Sequence, residues 1–144
     1  MRYPILLAAA LLLGGCATTY DLAVMPRDSG KMYTGTAQSG SGSEGPISIT
    51  IEGTTYNGTW VQTAPTTTTG FATGFGWGWR RGGVGTVVTM DNPQGGESKA
   101  LLSSSAGAGL RCDFRSGSTQ RGGGVCRDDR GREYDVQIRP AARH

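Results

Sequence analysis

Ile47-Ser-Ile-Thr-Ile51-Glu52-Gly53-Thr54-Thr55-Tyr-Asn-Gly-Thr-Trp-Val61 is the stretch on which the fold reading turns. Ile47, Ile49 and Ile51 alternate with Ser48 and Thr50, the period of two that buries one face of a strand and wets the other. Glu52-Gly53 supplies turn chemistry, and Thr55 to Val61 returns in β-branched and aromatic residues, so the stretch predicts a β-hairpin. The rest of the chain has the same character. Of its 144 residues, 25 are glycine, where average usage is about 7% and each glycine weakens a helix by about 1 kcal/mol relative to alanine. Beyond the first sixteen residues, no segment places apolar residues at i, i+3, i+4 and i+7 without a glycine or proline interrupting. The expected class is all-β, an antiparallel meander of about seven or eight strands forming a small barrel or a curved sheet of hairpins.

The hairpin belongs to a repeating signature. Gly30-x-x-Tyr33, Gly53-x-x-Tyr56 and Gly76-x-x-Trp79 recur at a spacing of 23, and Gly109-x-x-Cys112 and Gly131-x-x-Tyr134 follow 22 apart. A fixed period of this size suggests one supersecondary unit copied along the chain. In that unit the glycine occupies a turn needing positive φ, and the aromatic opens the next strand facing the core. Gly53 to Trp60, read as Gly-x-x-Tyr-x-Gly-x-Trp, is similar to the MORN repeat, a β-hairpin motif. The likeness covers Gly30 to Trp60 and, more weakly, Gly122 to Ile138; it breaks where Trp79-Arg80-Arg81 replaces aromatic-x-Gly. It implies hairpin geometry and brings no function with it.

The N-terminal segment is of another kind. Arg2 and the amino terminus precede the apolar run Ile5–Leu13, which closes on Leu13-Gly14-Gly15-Cys16. That run falls short of the roughly 20 residues a transmembrane helix needs and suits a cleavable signal. The ending resembles the lipobox of bacterial lipoproteins, which implies lipidation of Cys16 after removal of residues 1–15. One acyl chain anchors a protein only marginally, and lipoproteins of this type carry a diacylglyceryl thioether and often an N-acyl chain as well. Ala17 stands where their inner-membrane retention signal has an aspartate, so the resemblance implies the periplasmic face of a Gram-negative outer membrane. The expected organisation is a signal over 1–15, a tether over 16–29, a β domain over 30–139 and a tail over 140–144.

With Cys16 taken by lipid, Cys112 and Cys126 remain, an even pair in an oxidising compartment, which reads as a disulfide. Leu110 to Phe114 and Val125 to Arg127 predict a hairpin whose loop centres on Thr119 and sets the two cysteines opposite one another. Tyr134-Asp-Val-Gln-Ile138 alternates as a last strand. Leu110-Arg-Cys-Asp-Phe114, Gly122-Gly-Gly-Val-Cys126 and Gly131-Arg-Glu-Tyr-Asp135 resemble the ending of a group of small proteobacterial lipoproteins. The resemblance adds weight to the lipid anchor and the disulfide, and carries no activity.

No constellation for catalysis emerges. The sole histidine is His144 at the chain end, which excludes histidine-based triads. Asp128 and Asp129 are adjacent, and read as turn formers rather than an acid/base pair. Glu133 and Asp135 flank Tyr134 and should face solvent. Neither a calcium loop nor HExxH occurs, and the glycine clusters at 74–78 and 82–85 are not followed by a helix that would cradle phosphate. No catalytic residue, metal or cofactor is expected. The formal charge is +3, and eight arginines between Arg111 and Arg143 are interspersed with five acids, a solvated face rather than a nucleic-acid groove.

One stretch suits a binding site. Thr63 to Gly70 reads as a loop, and alternation over residues 71–81 puts Phe75, Trp77 and Trp79 on one face beside Arg80 and Arg81. These aromatics either fill the core, the reading with more behind it, or form an exposed strip that stacks sugars or rests at lipid headgroups. The expected function is a membrane-anchored envelope lipoprotein with a non-enzymatic structural or interaction role, its partners the membrane and other envelope proteins. The alternative is a glycan- or peptidoglycan-binding module working through the 71–81 strip.

Overall fold

The computed structural model describes residues 17–40, 43–73, 85–92, 95–117 and 119–143. Ten strands run along them: β1 (Thr18–Pro26), β2 (Tyr33–Ser39), β3 (Glu44–Ile51), β4 (Thr54–Ala64), β5 (Thr67–Thr73), β6 (Gly85–Asp91), β7 (Gly96–Ser103), β8 (Gly109–Ser116), β9 (Gly122–Asp128) and β10 (Glu133–Pro140). Eight of them close into an antiparallel barrel in the order β1-β10-β9-β8-β7-β4-β3-β2, while β5 and β6 pair only with each other. The barrel is an up-and-down meander interrupted once, where the β5–β6 ribbon is inserted between β4 and β7. Asn92 pins the base of that ribbon: its backbone N–H donates to the Thr66 carbonyl at 2.8 Å and its side-chain amide to the Pro65 carbonyl at 3.1 Å.

Alternation accounts for the core. Leu22 and Val24 from β1, Ile47, Ile49 and Ile51 from β3, Leu110, Cys112 and Phe114 from β8, and Tyr134 and Val136 from β10 all point inward and are buried. The hairpin predicted over 47–61 is β3–β4, with Ile51 paired to Thr54. Glu52 and Gly53 carry φ of 51° and 79°, the doubly left-handed geometry of a type I′ turn, which matches strand twist. Gly131 is left-handed as well, at φ 81°. Gly30 and Gly109 are not, so among the described repeat glycines the turn role holds at Gly53 and Gly131, while Gly76 lies outside the described residues. The aromatic half of the signature fares better, for Tyr33, Tyr56 and Tyr134 all pack on the core.

Two segments differ from the sequence reading. The tether expected over 16–29 is, from Thr18 to Pro26, a barrel strand paired on both sides: Leu22 faces Ile138 of β10 and Gly35 of β2. Its inward residues Tyr20, Leu22, Val24 and Pro26 alternate with Asp21, Ala23 and Met25. This pattern became decisive only once β10 was available as a partner. Likewise the loop expected over 63–70 is mostly strand, because β4 runs to Ala64 and β5 starts at Thr67. The C-terminal tail is attached through its first residues, since Pro140 pairs with Tyr20 and the Ala141 N–H donates to the Thr19 carbonyl at 2.9 Å.

Inward-facing glycines set how closely the strands approach. A Cβ on Gly58 would collide with the Leu101 carbonyl oxygen, and one on Gly124 with that of Asp113. These positions have no room for any side chain, as expected where a small barrel bends sharply. Gly58→Ala should therefore lower stability by about 3 kcal/mol through forced backbone displacement. Gly53→Ala should cost about 1 kcal/mol through its left-handed φ, and Gly30→Ala, which meets nothing within 4 Å, should stay within about 0.5 kcal/mol of wild type. Urea unfolding of the three variants checks this ranking.

Candidate functional site

The two ends of the barrel are built differently. One end gathers the connections at 27–32, 52–53, 104–108 and 129–132, all of them between sequence-adjacent strands. Asp128 organises the last of these: its Oδ1 accepts from the backbone N–H groups of Arg130 and Arg132, and its Oδ2 from the Tyr134 hydroxyl at 3.0 Å. Asp129 Oδ2 accepts the Gly109 N–H at 2.6 Å. Asp128 is thus a turn former, as the sequence suggested, while Asp129 sits in the same turn and its carboxylate reaches across to the start of β8. The Arg132 guanidinium ties three loops together by pairing with Asp28 at 3.0 Å and Glu52 at 3.2 Å while lying 5.5 Å from the Tyr134 ring centroid. Its hydrogen bond holds the Asp28 carboxyl below the usual range, and Arg127 and Arg27 do the same for Glu133.

The opposite end is open. There Ala17 enters β1, the β8–β9 loop turns at 117–121, and the β5–β6 ribbon leaves the barrel. A cavity of about 340 Å³ runs into the lumen between these elements. Leu22, Ala37, Ile47, Phe114 and Ile138 give it apolar surface, Tyr20 and Trp60 form aromatic walls, and Gln62, Thr66, Ser98, Ser116 and Gln120 supply uncharged hydrogen-bonding groups nearer the strand ends. Every lining side chain is uncharged. Trp60 is held in place across β3, where its Nε1–H donates to the Gln38 carbonyl at 2.9 Å. Gly45 makes this possible, for a Cβ there would lie 3.0 Å from that nitrogen and collide with the same carbonyl. The indole is therefore a fixed wall with its only polar atom already satisfied.

Below the cavity, the barrel is filled. Cys112 and Cys126 face one another across β8–β9 in the expected register, with 4.0 Å between their Cα atoms, and are joined as a disulfide inside the core. The other residues singled out from sequence, namely Cys16, Phe75, Trp77, Trp79, Arg80 and Arg81, lie outside the described residues. The 74–84 segment connects Thr73 of β5 to Gly85 of β6, which pair with one another. Sequence reasoning missed Tyr20, assigned to the tether, and passed over Trp60, Gln62 and Phe114 as ordinary strand residues. Their alternation was visible; that three separate strands bring them to one rim was not.

The outer face of the barrel is polar. Lys99 pairs with Asp113 at 2.5 Å, Arg115 with Glu97 at 3.3 Å and Arg27 with Asp135 at 3.0 Å, while Arg127 bonds Glu133 across β9–β10. Membrane-spanning barrels show the reverse, an apolar band outside and a polar interior. Among the described residues, no group of three or more histidine, cysteine or acidic side chains is arranged to hold a metal ion, and no helix is long and apolar enough to cross a membrane. Comparison with protein-family models, curated proteins and solved structures gives no match to this chain.

Two measurements test the packing beneath the cavity. Reducing the Cys112–Cys126 bridge, which spans 14 residues of sequence, should lower stability by about 3 kcal/mol through restored chain entropy in the unfolded state. Unfolding in urea with and without reductant reads that loss. Burial, then the bond to Asp128, pushes the Tyr134 hydroxyl up to about 12. Because the folded value is raised, its contribution is complete below the unfolded value near 10 and is lost as pH rises through about 12. Over that window the wild type should lose more stability than Tyr134→Phe.

Proposed function

We propose that this protein is a lipid-anchored bacterial envelope protein, acylated on Cys16 and held at the periplasmic face of the outer membrane, with a non-enzymatic structural or interaction role. The observation that carries this reading is the inversion of the barrel's surfaces relative to a membrane-spanning one. Charges outside and apolar residues inside mean that a barrel held at a bilayer needs an anchor from elsewhere. Leu13-Gly14-Gly15-Cys16 supplies one, directly before Ala17, where the chain enters the barrel. A buried disulfide suits an oxidising compartment. The lumen offers shape and uncharged hydrogen-bonding groups, and no carboxylate, imidazole or thiol among its lining residues supplies acid/base or nucleophilic chemistry.

A second reading has one observation in its favour. Among the described residues, the core is completed by the eight barrel strands without the ribbon. The aromatic and arginine strip, whose residues from 74 to 81 lie outside the described ones, would then bind glycan or peptidoglycan through Trp77 and Trp79.

Intact mass of the membrane-extracted protein tests the first reading, which expects a chain beginning at an acylated Cys16, with Cys112 and Cys126 alkylated only after reduction. An unacylated chain overturns it. Incubation with purified sacculi tests the second: retention that is lost on replacing Trp77 and Trp79 by alanine supports it, and flow-through of the wild type sinks it.

A further inference from the structure

We infer that the open end of the barrel is a binding site for a single acyl chain, held tail-first between Tyr20, Trp60 and Phe114. The dimensions suit one tail. An eight-stranded barrel is just wide enough to be filled by side chains or to hold one small ligand, and about 340 Å³ is at the small end of the roughly 300–1,000 Å³ range of ligand pockets. The chemistry excludes a charged head inside: no lining side chain carries a charge that would repay desolvating a phosphate or carboxylate. Inner surface and aromatic walls are apolar, whereas Gln62, Ser98 and Gln120 near the strand ends can meet the carbonyl of an ester or amide. A sugar would leave most of its hydroxyls against Leu22, Ile47 and Phe114 without partners.

The site also has a preformed wall and a position. Trp60 is locked by its bond to the Gln38 carbonyl, so little side-chain freedom is lost on binding. Cys16 precedes Tyr20 by four residues, a span that at about 3.3–3.6 Å per residue bounds the distance between their Cα atoms at roughly 14 Å. The chain can therefore come from the protein's own anchor or from a lipid of the surrounding membrane. That the mouth faces a membrane rests on the lipid-anchor reading; the chemistry of the cavity does not.

The experiment is photo-crosslinking in living Gram-negative cells that make the full-length protein and are fed a fatty acid carrying a diazirine in its tail. The expected result is adducts on the peptides holding Tyr20, Trp60 and Phe114, with none at Leu101, which is 67% exposed on the outer face. Ser116→Trp, which narrows the rim, should cut the lumen adducts at least about tenfold, or about 1.4 kcal/mol of binding. Ser98→Phe on the neighbouring strand serves if Ser116→Trp does not fold. A lumen peptide joined to the peptide bearing Cys16 identifies the protein's own anchor as the source, and one carrying a free lipid identifies the membrane; either supports the site. Labelling confined to outer positions, or lumen labelling unchanged in folded rim variants, overturns it. The same digest reports on Cys16. An unmodified Cys16 with a labelled lumen removes the anchor and leaves the site, whereas an acylated Cys16 with an unlabelled lumen does the reverse.

Discussion

Pairing of β1 with β10 is the constraint on which the rest of the structure depends. Seven ladder positions from Tyr20–Pro140 to Pro26–Tyr134 join the first strand to the last, and with them a meander that would otherwise expose two edges becomes a closed barrel. Closure gives each inward residue a defined neighbour on both sides and encloses the disulfide. It also demands tight curvature, and this is why Gly58 and Gly124 sit where the adjacent strand's carbonyl leaves no space for a Cβ. The abundance of glycine is in part a geometric requirement of a narrow barrel.

Closure leaves the two ends unequal. Short connections at one end bring Arg132, Asp28 and Glu52 together over the buried Tyr134 and the half-buried Asp128, so that end is covered by charge pairs above a filled core. At the other end the β5–β6 ribbon interrupts the meander, and the inward residues include small ones, Ala37 and Ser98 among them. A tapering interior follows, with Val24, Ile49 and Leu110 almost fully buried at one end and a cavity at the other. Ala17, the first described residue, enters β1 at the cavity end.

Legibility in the sequence was uneven, and the reason is the range of the interaction involved. The β3–β4 hairpin was readable because Ile47 to Val61 holds its own alternation and its own turn. The Cys112–Cys126 pairing was readable because the loop between them places the two residues opposite each other. The repeat was readable in its aromatics and only half so in its glycines, since a glycine in a regular pattern has several uses: left-handed turns at Gly53 and Gly131, close approach at Gly58 and Gly124, and at Gly30 neither. β1 was misassigned because its partners, β10 above all, are far along the chain, and a strand of mixed polarity ending in proline looks like a tether when considered alone.

The sequence by itself determined the class, the local hairpins and the cysteine pair, all of which follow from residue periodicity and turn chemistry over about twenty residues or fewer. Only the tertiary structure decided that the meander closes, that β5 and β6 pair only with each other, and that Tyr20, Trp60, Gln62 and Phe114 share one rim. Those outcomes depend on pairing between strands more than a hundred residues apart. Such pairing is set by the combined curvature and register of eight strands, quantities that no single segment carries.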